Sequence, residues 1–335
     1  MKGVRFGLGA PVYPAEEALR AARFADEAGF DGLWIPEYLI RRGDRGLALE
    51  PLALLGAAAR ETRRVHLGTY VLGVQRRHPS MLAFMAASLD HLSGGRLILG
   101  LGAGAREMDR SLGIPHGDGT ARLREYVEVM RRLWREDGPR YAGTHFQLNG
   151  GTLSVRPLQD PLPVWIAAQG PGGMEAAGAV ADGWVSNWLY TPEGVGQALG
   201  AVRRHAAAAG RDPSALVGAF EAAVAVAETQ EEAEGPGLPA VKAKLLKIGG
   251  GYAYGYRQLK ALGYQGPPPT ALDQIPDEVA RACSVVGTPR RVIERIEEYA
   301  RHGVEYFITT FMNPGGEALF AKAVLPHFAG TRTED

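Results

Sequence analysis

The chain has 335 residues, 46% hydrophobic and 8% aromatic, enough for one barrel-sized domain or two smaller ones. Its 37 Lys+Arg balance 37 Asp+Glu and the pI is near 7.1, which argues against the basic stripe of a nucleic-acid binder. No apolar run is long enough to span a membrane and no leader peptide is read, while the lone Cys283 excludes an internal disulfide and fits a reducing cytoplasm.

Residues 4–10 read as a first strand, stopped by Pro11. Ala18, Ala21, Ala22, Ala25 and Ala28 then share one helical face, which Gly29 ends. A second strand over 32–35 runs out at Pro36 into Glu37-Tyr38 and a loop carrying Arg41, Arg42 and Arg45, either a solvated loop or a site for an acidic substrate. Helix 49–61, strand 65–72, helix 79–92 and strand 96–101 follow, the last ending in Gly102-Ala103-Gly104. Residues 122–135 have a strong apolar face, and alternation through 140–155 predicts a small β excursion. A fifth strand begins at Val164, and Gln169-Gly170-Pro171-Gly172-Gly173 leads from it into a helix with Met174, Ala177, Val180 and Ala181 on its apolar side. The sixth strand spans 184–188, and a helix over 192–210 precedes the seventh strand at 219–227. Helix 289–302, strand 304–310 and helix 316–328 close the chain.

Eight strand–helix alternations predict an α/β fold, a (β/α)8 TIM barrel. A barrel needs about 250 residues, so the surplus lies in insertions within a single domain over 1–330. The largest, 228–284, falls between the seventh strand and its helix; we expect a lid there, with a helix over 239–248. A doubly wound open sheet fits less well, because no GxGxxG opens the first turn.

Function on a barrel sits on the loops after the strands. The strand ends collect Pro11 and Val12; Glu37 and Tyr38; Thr69, Tyr70, Val71 and Gly73; Ala103, Gly104 and Arg106; Gln169 to Gly173; Ser186 and Asn187; Thr309 and Thr310. Acids are few and backbone-exposing glycines many, which suits a flat apolar ligand with a phosphate tail better than a carboxylate dyad. The glycine turn before the fifth helix would offer free N–H groups and a positive helix end to a phosphate. A tight turn needing glycine only for its backbone angles would leave the same pattern. The eight histidines show no metal-ligand spacing, so no metal site is expected, and His78 and His116 are the two placed to face a cleft. Glu37 is a candidate acid or base, and Tyr38 a candidate donor to a substrate carbonyl.

The segments LGTYVLGVQRRHP, LDHLSGGRLILGLGAG and PVWIAAQGPGGMEAAGAVADGW, in this order, resemble the luciferase-like flavin-dependent oxidoreductases. The Gly-Pro-Gly-Gly turn and LKIGGGYAYGYRQLKALGY make the chain most similar to the coenzyme F-420-dependent branch, with its methylenetetrahydromethanopterin reductases and sugar-phosphate dehydrogenases. The resemblance implies a deazaflavin (F-420) or FMN cofactor. Gly68-Thr69-Tyr70-Val71 would form a bulge with a cis Tyr70–Val71 bond behind the ring, Gly102-Ala103-Gly104 would approach the cofactor closely, and Ala168 to Met174 would hold its phosphate. It also implies a homodimer and a small-molecule substrate. The His and Glu that sugar-phosphate dehydrogenases use are absent, Tyr38 and Ala105 standing in their places, which puts sugar-phosphate oxidation in doubt. Hydride transfer to a small organic substrate, an FMN-dependent monooxygenase and a non-catalytic barrel binding a flavin or another phosphate ligand are the three readings this leaves.

Overall fold

Eight parallel strands close on themselves: β1 (Arg5–Gly9), β2 (Gly32–Ile35), β3 (His66–Thr69), β4 (Leu97–Gly102), β5 (Val164–Ala167), β6 (Gly183–Ser186), β7 (Val217–Val226) and β8 (Tyr306–Phe311). Closure is direct, since β8 pairs with β1 in the register Arg5 to Tyr306. This computed structural model describes residues 3–40, 46–115, 117, 119–187, 189–249 and 253–329. Arg41, Arg42, Arg45, His116 and Trp188 lie outside the described residues, and so do the readings placed on them.

Helices follow the strands as α1 (Ala15–Ala28), α2 (Pro51–Glu61), α3 (Pro79–Ser93), α4 (Gly119–Arg135), α5 (Pro171–Val180), α6 (Pro192–Ala208), α7 (Pro289–Arg301) and α8 (Gly316–Ala323). The predicted TIM barrel is therefore present, and its two apolar layers follow from the strand period of two. Outward-facing Phe6, Phe220 and Phe307 meet helix residues such as Phe320 and Tyr299. Inward-facing Trp34, Ile98, Trp165, Val185, Ala219, Tyr306 and Ile308 fill the barrel. The tryptophans fit because the opposing strands carry glycine: a Cβ on Gly68 would lie 2.4 Å from Trp34 Cε3. Trp34 Nε1 donates to the Tyr306 hydroxyl at 3.0 Å, so the one polar group of the buried indole is satisfied.

Two elements differ from expectation, the broken third strand and the insertion, while the cis Tyr70–Val71 peptide and the β excursion are those expected. The third strand stops at Thr69, carries the cis Tyr70–Val71 peptide, and resumes as Leu72–Gly73 beside β4. In the insertion, the long helix begins at Gln230, well before Pro239, and runs through Pro236 and Pro239 to Gly249. Two interior prolines disfavour a helix, but Ala233, Leu238, Val241 and Leu245 bury a continuous apolar face. At its start, Thr229 Oγ1 accepts from the Glu232 amide at 3.2 Å while Glu232 accepts from the Thr229 amide at 3.1 Å, a reciprocal capping box. Two further helices, Ala253–Ala261 and Asp277–Ala282, complete the segment, and Val285–Gly287 pairs with the upper half of β7. The β excursion is a hairpin of Arg140–Ala142 and Gln147–Asn149. No described helix is long and apolar enough to cross a membrane.

Candidate functional site

The bulge after β3 is fixed by its own polar atoms. Thr69 Oγ1 donates to the Gly100 carbonyl and accepts from the Gly100 amide, both at 2.9 Å, tying β3 to β4. A Cβ on Gly100 would lie 1.7 Å from the Thr69 carbonyl oxygen, and one on Gly102 would lie 2.8 Å from Val71 Cγ2. Glycine at these two positions is thus demanded by the bulge, not by a ligand. Thr69 spends its hydroxyl on β4, and Val71 lies over Gly102.

Glu37 is neither a solvated loop acid nor a free base. Its side chain is fully buried and accepts from the Gly73 amide at 2.9 Å, from Arg77 Nη1 at 2.6 Å and from Arg76 Nη1. Arg76 Nε reaches Asp109 at 2.8 Å, and Arg77 Nη2 reaches Glu50 at 2.7 Å. Burial would lower the Arg77 pKa, but the Glu37 and Glu50 carboxylates outweigh it and raise it, so the cation persists. A carboxylate held by two guanidiniums is poorly placed to exchange a proton with substrate. Its geometry makes it the anchor of the β2–β3 loops. His78 is likewise committed: it is the N-cap of α3, its Nδ1 accepting from the Ser80 amide at 3.3 Å, with its ring edge-on to Phe146. Tyr38, about two-fifths exposed, does reach a cavity, treated below.

The glycine turn lines a groove. Ala103, Gly104, Ala168 and Gln169 to Gly173 line a cavity of about 400 Å³ together with Thr120, Leu123 and Asn187. Gly170 is the N-cap of α5, with no side chain capping it and Pro171 in the first turn. The first main-chain bond of that turn is Met174 N to Gly170 O at 2.9 Å, so the Gly172 and Gly173 amides are left for a ligand. A Cβ on Gly172 would come within 3.2 Å of Thr120 Cγ2, and one on Gly173 within 2.8 Å of the Ala168 Cβ. Trp184 Nε1 donates to the Ala168 carbonyl at 2.7 Å and fixes the start of the turn. Met174 packs its side chain against the core, on the apolar side of α5 where its spacing places it.

Three buried polar atoms around this groove have no partner among the described residues: Gln169 Oε1, Gln75 Nε2 and Arg76 Nη2. Gln169 is held by its amide nitrogen to the Val185 carbonyl at 3.3 Å, which leaves the oxygen free. Gln75 Nε2 lies 3.5 Å from where a Gly119 Cβ would stand, beside Ala103. Buried donors and acceptors are rarely left unpaired. Gln75 and Arg76 are absent from the strand-end set because they sit past the bulge, inside VLGVQRR, where sequence gives no sign that the strand breaks.

A second polar corner lies on the β1–β8 side. Tyr70 Oη, Thr310 Oγ1 and the Thr309 carbonyl all come within 3.1 Å of where a Gly9 Cβ would be. Thr310 Oγ1 is buried and finds no partner of good geometry. Burial, then the neighbouring Glu221 and Tyr38, push the Tyr70 phenol well above its usual pKa, so it stays a neutral donor. Glu221 is in register with inward-facing Ile308, and Lys244 of the insertion helix acts on it. Burial raises the Glu221 pKa, Lys244 opposing it, and burial lowers that of Lys244, Glu221 opposing it. Glu221 escaped the sequence reading because it sits inside an apolar strand and not at a strand end.

Comparison with known proteins gives a consistent picture. The family model described as luciferase-like monooxygenase matches residues 3–306. A phthiodiolone/phenolphthiodiolone dimycocerosates ketoreductase of Mycobacterium kansasii is 30% identical, over 83% of this chain and 82% of that protein. An F-420-dependent glucose-6-phosphate dehydrogenase of Beutenbergia cavernae is 38% identical over 48% of this chain and 49% of its own. Among solved structures, the coenzyme F-420-dependent tetrahydromethanopterin reductase of Methanopyrus kandleri superposes with a TM-score of 0.83 at 23% identity, covering 97% of this chain and 99% of that one. The oxygenating constituent of a Pseudomonas putida diketocamphane monooxygenase, in complex with FMN, superposes with a TM-score of 0.76 at 19% identity, covering 97% and 98%.

Proposed function

The chain belongs to the luciferase-like monooxygenase family, an enzyme family of α/β barrels, and within it we propose that this protein transfers hydride between bound F-420 and a small organic carbonyl compound. The observation that carries the reading is the groove of the glycine turn, whose unclaimed Gly172 and Gly173 amides and unpartnered Gln169 oxygen fit a phosphate and the polar edge of a deazaflavin or flavin. A deazaflavin bound there supplies two-electron hydride chemistry, whereas FMN would also admit reaction with oxygen. The protein's own residues orient and exclude: Val71 and Thr69 set the bulge, the Glu37 ion pairs hold it rigid, and Ala168 and Gln169 place the turn. Tyr70, neutral and beside Thr310, is the group placed to donate a hydrogen bond to a substrate oxygen. Kinship with a ketoreductase supports a carbonyl substrate.

FMN is the second reading, favoured by one feature. The cavity that continues past Gly172 and Thr120 is walled by Glu125, Glu128 and Glu175 with Arg124, an acidic wall that would repel the polyglutamate tail of F-420, which FMN lacks. Anaerobic incubation with reduced F-420 and a panel of ketones tests the choice: ketone-dependent oxidation of the deazaflavin supports hydride transfer. Oxygen uptake with reduced FMN and no reaction with F-420 would replace it by monooxygenation.

The same reading takes segment 228–284 as a lid, supported by Lys244 acting on Glu221 from above β7. It also includes a cytoplasmic homodimer, supported by the exposed Met81, Phe84 and Leu92 along α3. A monomer in sedimentation would remove the latter.

A further inference from the structure

A second cavity at the barrel mouth, about 730 Å³, exceeds the one at the glycine turn. It starts at Tyr38, Tyr70 and Thr310, crosses the end of β1 from Gly9 to Val12, and opens between α1 and α8. Beyond the three hydroxyls its walls are mostly apolar, with Leu8, Ala21, Phe24, Phe311 and Ala318, and the charged Glu17, Arg20 and Glu317 of α1 and α8 complete the lining. At the surface Arg20 is committed to Glu17 at 3.0 Å.

We propose that this cavity is an alkyl channel: the carbonyl end of the substrate sits at Tyr70 and Thr310, and an unbranched aliphatic chain runs out between α1 and α8. The inference rests on the carbonyl reading above and adds the class of carbonyl compound. Three observations carry it. The buried Thr310 Oγ1 has no partner of good geometry, which marks the inner end as a place for a polar ligand atom. Past it, the stretch walled by Leu8, Phe24 and Phe311 offers no side-chain partner to the polar groups of a sugar or phosphate body, whereas an alkyl chain loses nothing there. The volume is within the usual range for a site enclosing a whole small ligand. Tyr70, kept protonated by its burial and by the nearby acid Glu221, has a hydrogen to give to the carbonyl oxygen across the working pH range.

The test is equilibrium binding of methyl ketones from butanone to dodecanone to the full chain, by calorimetry, without cofactor. Each added methylene should lower Kd about fourfold until the channel is filled. Ala318→Trp, at an exposed position of α8, should block the outer half and flatten that dependence for the longer ketones. Phe24→Asp should do the same, with thermal unfolding run beside it because Phe24 is partly buried. A Kd independent of chain length in the wild type overturns the channel, as does an undiminished slope in a folded Ala318→Trp protein. The two readings fail separately: a chain-length slope in a protein that binds neither F-420 nor FMN leaves the channel standing, and a flat series in one that binds F-420 removes the channel alone.

Discussion

The two sides of the barrel mouth use the same kinds of residue to opposite ends. On the β2–β3 side, Glu37 has both carboxylate oxygens engaged by Arg76 and Arg77, and Asp109 and Glu50 close the outer ends of the network. On the β5 and β8 sides, Gln169 Oε1 and Thr310 Oγ1 are equally buried and have no partner of good geometry among the described residues. Polar groups that the protein satisfies by itself build scaffold; those it leaves unsatisfied await a ligand. Charge alone would have pointed the other way, to Glu37 as the reactive group.

Mutations can break that contrast, the largest effects being on the scaffold side. Gly100→Ala would drive a Cβ to within 1.7 Å of the Thr69 carbonyl, so it should cost about 4 kcal/mol or more and be seen as loss of cooperative unfolding. Glu37→Ala strands two buried guanidiniums and should cost about 3–5 kcal/mol in urea denaturation. A variant that unfolds like the wild type while losing all turnover would return Glu37 to the role of proton carrier. Gly172→Asp puts a side chain against Thr120 and a negative charge at the turn. Cofactor affinity should fall about a hundredfold, roughly 3 kcal/mol, with a much smaller loss of stability. Thr310→Val removes a hydroxyl with no partner of good geometry among the described residues and should leave stability within about 1 kcal/mol of the wild type; a clear loss would reveal a strong partner inside the protein.

The smallest effect is one of pH. Burial lowers the pKa of His66 from its usual 6.5, outweighing the bond to the Asp31 carbonyl. Below 6.5 the unfolded chain therefore binds more protons than the folded one. Stability is complete above that value and declines as pH falls toward the lower folded pKa. Replacing His66 with Asn should flatten this part of the curve, read as the urea midpoint at a series of pH values.

The barrel was legible because it repeats: alternating runs, glycine stops and prolines mark each strand and helix, and their number fixes the architecture. The glycine turn was legible too, since Gln169 to Gly173 follow directly on an apolar strand. What sequence hides is pairing. Nothing in Glu37-Tyr38 announces that Arg76 and Arg77, far along the chain, will consume the carboxylate. Similarly, His78 reads as a free imidazole until the helix it caps is seen. Strand ends also mislead at β7, where Glu221 faces inward from mid-strand and is reached only through the closure of β7 on β8. The long insertion helix has its sign in Thr229 and Glu232, a capping pair, while Pro236 and Pro239 downstream mask it.

The most direct measurement is a parallel fluorescence titration of the purified protein with F-420 and with FMN, repeated on Gly172→Asp. The account predicts saturable binding of F-420 to the wild type, weakened about a hundredfold in the variant. Binding of neither cofactor, or equal affinity in a folded Gly172→Asp protein, would contradict it.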